Sequence, residues 1–151
     1  MCNYFSVCIN KTGRIIGDGS IDQHDTLYEK NQIKDDKQKE FSNWAKIEIN
    51  PFDKDIFNHK IKNWKLKIDE ERRPDWFGIE HEKICFDLLK KSFKKHFLIG
   101  GEYENLPFKD IRFLKNCRIK ILKEEIGILN GGTVQEVLGG TVQEVWGGGT
   151  V

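Results

Sequence analysis

The stretch that decides the fold is 131–151, which reads GGTVQEVL, GGTVQEVW and GGGTV, a repeat of eight residues that we call an octad. It holds half of the fourteen glycines of the chain. A helix is excluded, because each glycine costs a helix about 1 kcal/mol relative to alanine. Short β-branched segments punctuated by Gly-Gly predict strands joined by tight turns, and a fixed short period predicts that each unit buries its face on the next.

The same register extends upstream of the glycine-rich octads. Residues 108–115 and 116–123 carry apolar side chains at the fourth, sixth and seventh positions, and 124–130 repeats this with a shorter lead-in. We count about six consecutive units, although the first could equally be a strand of the preceding domain. The tail, 108–151, is therefore predicted to be a small β-solenoid or a regular β-meander.

This tail is also the predicted site of self-association. The last unit carries no charged or proline-bearing cap, so its strand is expected to leave an open edge. We expect two chains to join there as a homodimer, although the tail could instead fold back on the N-terminal domain. The residues assigned to the contact are Val134, Val137, Val142, Val145, Trp146 and Val151.

Residues 1–107 are predicted to form an α+β domain, with a small antiparallel sheet and one long helix. Period-two alternation of apolar and polar residues favours strands, and apolar residues at helical spacing favour a helix over 79–97. The remaining elements are strands at 4–9, 15–16, 44–49 and 64–69, a short helix over 22–32 and a loop over 33–40.

Composition excludes several classes of protein. Lys plus Arg number 25 against 24 Asp plus Glu, so no bulk charge points to nucleic acid or to an anionic membrane. The sequence contains neither an apolar run of about 18 residues nor the hydrophobic region of a signal peptide, so we expect neither a membrane span nor secretion. Four cysteines are too few and too scattered for a disulfide scaffold. We expect a reduced, cytoplasmic protein. The cysteines are Cys2, Cys8, Cys85 and Cys117.

Candidate catalytic and metal residues are incomplete. Cys2 could be an N-terminal nucleophile, but about 107 residues are too few for the fold that such enzymes use, so an ordinary strand cysteine is favoured. His81 and Cys85 stand four apart, yet a zinc site needs two further ligands. The pair His24-Asp25 is better read as a helix cap. No enzyme, metal or cofactor is predicted.

Two candidate binding surfaces lie around the long helix. Lys90, Lys91, Lys94 and Lys95 form a dense basic patch in its second half, which can meet RNA phosphates or an acidic protein face. Favourable interaction with the helix macrodipole explains the same charges without a ligand. Lys60, Lys62, Lys65 and Lys67 could extend the patch if their strand lies alongside.

The second candidate surface is the turn before the helix. Arg72, Arg73, Trp76 and Phe77 have the composition of a binding hot spot. The two aromatic residues could equally plug the helix onto the sheet.

The segments MCNYFSVCINKTGRIIGDG, HDTLYEKNQIKDD and WKLKIDEERRPDWFG, with the octad tail, resemble a group of small phage and prophage proteins. In that group an N-terminal domain runs into short repeats of the GGTV or NSTV kind. The resemblance implies a protein that binds and inhibits host defence machinery in the host cytoplasm, for example as an anti-CRISPR, with a defence protein or ribonucleoprotein as partner. The alternatives are a sponge for a nucleotide signal and a virion or structural module.

Overall fold

The computed structural model describes residues 5–17, 27, 43–68 and 73–151. The chain divides into two compact units, Met1–Ser92 and Phe93–Val151. The predicted helix at 22–32, apart from Leu27, and the predicted loop at 33–40 lie outside the described residues, as do Cys2, His24, Asp25 and Arg72.

The first unit contains a four-stranded antiparallel sheet in the order β2-β1-β3-β4. The four predicted strands are confirmed, and a 3-10 turn at Ile61–Asn63 leads into the last of them. The strands are β1 (Phe5–Asn10), β2 (Ile15–Ile16), β3 (Trp44–Pro51) and β4 (Trp64–Ile68).

Both faces of the central strands are buried. Val7 and Ile47 lie opposite each other on the apolar face and are inaccessible to solvent. The alternation in β3 would leave its polar side in water, yet Lys46 and Glu48 are each only 7% exposed. Leu27 packs on this second side of the sheet, in a cluster with Cys8 and Ile16.

The predicted long helix is confirmed as α1 (Ile79–His96). Its buried positions recur at helical spacing, which gives the helix one inward face. The helix runs directly into the next strand, and Arg112 N–H donates to His96 O at 2.8 Å where the chain changes from helix to sheet. The buried helix residues are Cys85, Leu89, Ser92, Phe93 and His96.

The second unit is a β-solenoid of three coils followed by β11, built from two parallel sheets. One sheet has the order β11-β9-β7-β5 and the other β10-β8-β6. The strands are β5 (Phe97–Ile99), β6 (Glu102–Tyr103), β7 (Phe113–Lys115), β8 (Arg118–Leu122), β9 (Glu125–Asn130), β10 (Thr133–Val137) and β11 (Thr141–Trp146).

Each coil takes two octads, so an octad stacks on the next but one and not on its immediate neighbour. Val134 pairs with Ile119, and Val142 pairs with Ile126. The Gly-Gly corner between octads sends the chain to the opposite sheet, and only every second octad returns to the same side. The prediction that each octad stacks on the one that follows it in the sequence is therefore corrected, because it stacks on the second octad along the chain.

The fourth and seventh octad positions point into the solenoid. They supply most of its apolar core, and the sixth position lies outside that cluster. The outward sixth-position rings of Phe97 and Phe113 lie 4.7 Å apart between centroids. Two outward positions therefore separate the two inward ones along each strand. The fully buried core residues at positions four and seven include Leu114, Ile119, Leu122, Ile126 and Leu129.

The corners explain the glycine pairs. Gly132 has φ +73°, in the left-handed region where side chains are strained, and a Cβ there would overlap the carbonyl oxygen of Cys117 in the coil below. Gly131, at the first octad position, has φ +65°, and Asn116 occupies the equivalent first position of an earlier octad at φ 53°, since asparagine tolerates this conformation.

The parallel strands begin before residue 108, where the sequence placed the start of the tail. Phe97 already pairs with Phe113, and Gly100 and Gly101 form a corner with positive φ. Tyr103 then packs against the solenoid core. Residues 100–107 thus form an octad with Gly-Gly at its start and apolar residues at the fourth and seventh positions, Tyr103 and Leu106. Because this octad has no β-branched residues, it is hard to recognise in the sequence.

Candidate interaction surfaces

The four lysines of the predicted basic patch are all exposed on α1. At 100° per residue, Lys90, Lys91, Lys94 and Lys95 cover an arc of about 140° on the side opposite the buried residues. We call these four residues the basic arc. Glu80 and Asp87 are exposed acidic residues within the same range of angles, and Lys83 is a further exposed lysine there. The arc therefore presents an excess of positive charge to solvent.

The proposed extension of this patch lies in the 3-10 turn and β4. Lys60, Lys62, Lys65 and Lys67 are all exposed there. The extension of the basic patch by these four residues stays a prediction.

The turn before α1 divides the predicted hot spot into buried and exposed parts. Phe77 is only 4% exposed, and the Arg73 guanidinium lies 5.0 Å from the centre of its ring. Arg73 also donates to Phe77 O, at 3.3 Å from Nη2, and lies 3.5 Å from Glu82 Oε1. Phe77 thus packs against the helix start, while Arg73 is exposed and Trp76 is half-buried.

The His81 side chain caps the start of α1 and makes two hydrogen bonds there. Its Nδ1 accepts a hydrogen bond from Gly78 N–H at 3.2 Å, and its Nε2 lies 2.9 Å from the carbonyl oxygen of Lys11. Because Nδ1 accepts, Nε2 carries the proton and donates to that carbonyl. Gly78 is the N-cap and His81 the third helical residue, so the imidazole takes the place of the Glu or Gln of a capping box. This role was not predicted from the sequence, although the three-residue spacing of Gly78 and His81 is its signal.

The same contacts bear on the His81 and Cys85 pair that the sequence raised as metal ligands. Both imidazole nitrogens are engaged in hydrogen bonds. Burial raises the pKa of the Cys85 thiol to about 12, with a smaller contribution from the charge of Glu82. Within residues 5–17, 27, 43–68 and 73–151, no three His, Cys, Asp or Glu side chains are grouped as a metal site would require.

A shallow groove lies on the outer surface of the β10-β8-β6 sheet, and the sequence analysis did not anticipate it. Its cations are matched by acidic neighbours, with Arg118 3.6 Å from Glu102 and Lys120 3.2 Å from Glu104. These pairs are exposed, so each contributes little stability. Residues 100–107 carry acidic side chains at the third and fifth octad positions, and 116–123, two octads later, carries basic side chains at the same positions. This spacing is the signal in the sequence for the ion pairs. The groove is lined by Glu102, Tyr103, Glu104, Arg118, Lys120 and Gln135.

The residues predicted for self-association differ in accessibility. Val134 is 1% exposed and belongs to the solenoid core, and Val137 and Val142 are partly buried against that core. Val145 is 47% and Val151 62% exposed. Trp146 is half-buried, and its indole N–H donates to Glu144 Oε2 at 2.8 Å. The accessible part of the predicted surface is therefore β11 with the residue Val151.

Comparison of the chain with protein-family models, curated proteins and solved structures found no match. Among the described helical residues, none form a helix with both the length and the hydropathy that crossing a bilayer requires.

Proposed function

We propose that the protein is a non-enzymatic binding protein that uses the basic arc of α1 to hold an acidic surface of a macromolecular partner, and that joins two copies through its solenoid. The observation that carries the proposal is the exposure of four lysines on one side of the helix, opposite its buried face. A surface of this kind attracts phosphates or carboxylates over the range of the Debye length.

The helix macrodipole accounts for only part of this charge. Its effect falls off within the last turn, where Lys94 and Lys95 lie. Lys90 and Lys91 lie a turn earlier. Lys90 and Lys94 are four residues apart, so their like charges repel each other on the helix surface. A partner with negative charge would relieve that repulsion, which supports a binding role for the arc.

In its narrower form the proposal makes the partner a defence protein or ribonucleoprotein of a bacterial host, inhibited by this protein in the host cytoplasm. Support for this form comes from the resemblance of the sequence to small phage proteins. Contact with RNA would use the same lysines, because they can neutralise phosphates. Arg73 and Trp76, exposed and half-buried beside the start of α1, supply additional contact groups.

The test is affinity capture from a bacterial lysate with three versions of the intact chain. One is the wild type, and one carries Lys→Gln at the four residues of the basic arc. The matched control carries Lys→Gln at four exposed lysines outside the basic arc and its predicted extension, namely Lys11, Lys54, Lys109 and Lys123. Glutamine has nearly the helix propensity of lysine, so α1 should be preserved in the arc variant. Circular dichroism checks the fold of both variants.

The proposal expects the wild type and the control to enrich the same defence protein or ribonucleoprotein, and the arc variant to lose it. Loss of capture after nuclease treatment would identify RNA as the contact. Equal capture by the arc variant would show that the basic arc is the wrong surface. Enrichment of only unrelated proteins would refute the narrower form.

A further inference from the structure

The outer edge of β11 is the free edge of its sheet within the part of the chain that the structure describes. β11 is the last strand in the order β11-β9-β7-β5, and among the described residues no strand lies on its outer side. On the other sheet the next layer has begun, because Thr150 bridges Thr133 and its carbonyl oxygen accepts from Val134 N–H at 2.9 Å. An open edge of six residues is a template for pairing with another strand.

The side chains of β11 follow a pattern that is the same in both directions. From Thr141 to Trp146 the octad positions place successive side chains outside, inside, outside, outside, inside and outside the solenoid. Val142 and Val145 are the inward positions, stacked on Ile126 and Leu129 of the strand below. Gln143 and Glu144 are the two outward positions between them. A strand with this symmetry matches itself when it is turned end for end.

We propose that β11 pairs antiparallel with β11 of a second copy of this chain, about a two-fold axis between Gln143 and Glu144. In this register Val142 lies opposite Val145 of the partner subunit, so the apolar core continues from one solenoid into the other. Gln143 donates through its amide nitrogen to Glu125 of the strand below, and it lies opposite Glu144 of the partner subunit, where its second amide N–H can donate to the carboxylate. Thr141 lies opposite Trp146 of the partner subunit. The inference rests on the self-association in the proposed function and specifies its geometry.

Exposure within the solenoid shows what such a partner would cover. Leu129, at the seventh octad position with strands on both sides, is fully buried, whereas Val145 directly above it is 47% exposed. A strand laid over β11 would give Val145 the environment that Leu129 already has. Burial of apolar surface is the main favourable term in such an association.

Head-to-tail stacking is less well matched. The opposite edge of the same sheet is β5, which has three residues and directly follows the last turn of α1. β5 offers only the sixth, seventh and eighth octad positions, so half of β11 would find no partner. A two-fold contact uses the same strand from both copies and closes the assembly at a dimer.

The test is disulfide cross-linking between two separately purified variants, Thr141→Cys and Trp146→Cys, each in a Cys2→Ser background. Opposite residues of an antiparallel pair have Cα atoms about 4.5–5.5 Å apart, within the about 4.4–6.8 Å that a disulfide spans. Two copies of Thr141 would lie roughly 17 Å apart across the two-fold axis, at about 3.4 Å per residue. The remaining cysteines, Cys8, Cys85 and Cys117, are buried.

The expected result is a cross-linked product of twice 17.7 kDa after mild oxidation of the mixture, and none from either variant alone. If loss of Trp146 disturbs the fold, the pair Val142→Cys and Val145→Cys tests the same register. Light scattering of the uncross-linked wild type separates the two proposals. A dimer without the mixed cross-link overturns the antiparallel register and leaves self-association standing. A monomer overturns both, while the basic arc is judged by capture alone.

A charge introduced at the contact gives an independent measure. Val145→Lys places an ammonium group that water can reach in the monomer but that faces Val142 of the partner subunit in the dimer. Leu138→Lys is the matched control, because Leu138 is 51% exposed and lies outside β11. We expect the dimer dissociation constant to rise at least tenfold for Val145→Lys and to stay within about twofold for Leu138→Lys. Equal values would contradict the proposal.

Discussion

A side chain at a corner of the solenoid can have two costs, which are backbone strain and overlap with the neighbouring coil. Alanine substitutions at three corner glycines measure these two costs separately. Gly139 has φ +79° and open space around it, so Gly139→Ala tests backbone strain alone. Gly140 has no positive φ, but a Cβ there would overlap the carbonyl oxygen of Glu124, so Gly140→Ala tests the close approach alone. Gly132 combines positive φ with overlap of the Cys117 carbonyl oxygen. The three variants therefore form a matched set at the corners of two successive octads, 131–138 and 139–146.

The expected magnitudes follow from these environments. An alanine in the left-handed region costs roughly 1–2 kcal/mol, and forcing one extra carbon into a packed site costs about 1–3 kcal/mol. We expect Gly139→Ala and Gly140→Ala each to lower the free energy of unfolding within those ranges. Gly132→Ala should lower it by roughly their sum, about 2–5 kcal/mol, because both costs act at one residue.

The assay is urea unfolding of the intact chain, followed by circular dichroism in the β region and by tryptophan fluorescence. The slope of the free energy against urea should be unchanged, so that the midpoints report stability. Equal midpoints for Gly132→Ala and Gly139→Ala would refute the role of the close approach to Cys117. An unshifted Gly139→Ala would refute the left-handed corner.

Three further substitutions test the core, the helix start and the buried thiol. Leu129→Ala should lower the free energy of unfolding by about 2–5 kcal/mol, because it opens a cavity in the solenoid core. A decrease of less than about 1 kcal/mol in urea unfolding would contradict this. His81→Ala should lower the free energy of unfolding by about 1 kcal/mol, since Gly78 N–H loses its acceptor. His81→Gln should recover part of this loss, because glutamine also closes a capping box. Thermal melting compares the stability of the two variants. The raised pKa of Cys85 means that unfolding releases a proton at alkaline pH, so stability should fall as pH rises from about 9 towards about 12. Cys85→Ala should fall less steeply over that range, and identical pH profiles from urea titrations would contradict the raised pKa.

The sequence predicted the apolar positions of the solenoid better than the path of its chain. Residues such as Ile119 and Leu122 were assigned to the repeat by their spacing, and both are fully buried. The octad pattern is the same whether consecutive units are neighbours or lie on opposite sheets, so it did not reveal that a coil takes two octads. The coil that begins at Phe97 was missed because only Gly100-Gly101 marks it.

The candidate surfaces were predicted as far as local spacing allows. The basic arc follows from helical periodicity alone, because the side opposite Cys85 and Leu89 must face water. The burial of Phe77 depends on Arg73 and His81, which contact its ring from other positions in the chain. Likewise, the alternation in β3 shows one apolar face but not that Glu48 on the other face is covered.

The two-octad coil has a consequence for how the protein tolerates changes in repeat number. Loss or gain of one octad would move every later strand to the opposite wall of the solenoid, whereas a change of two would add or remove one whole layer. GGTVQEV occupies both walls, in β10 and in β11, so either change leaves each wall with a sequence it already accommodates. The parity of the octad count would then decide which wall carries the terminal strand, and with it the direction in which two copies meet.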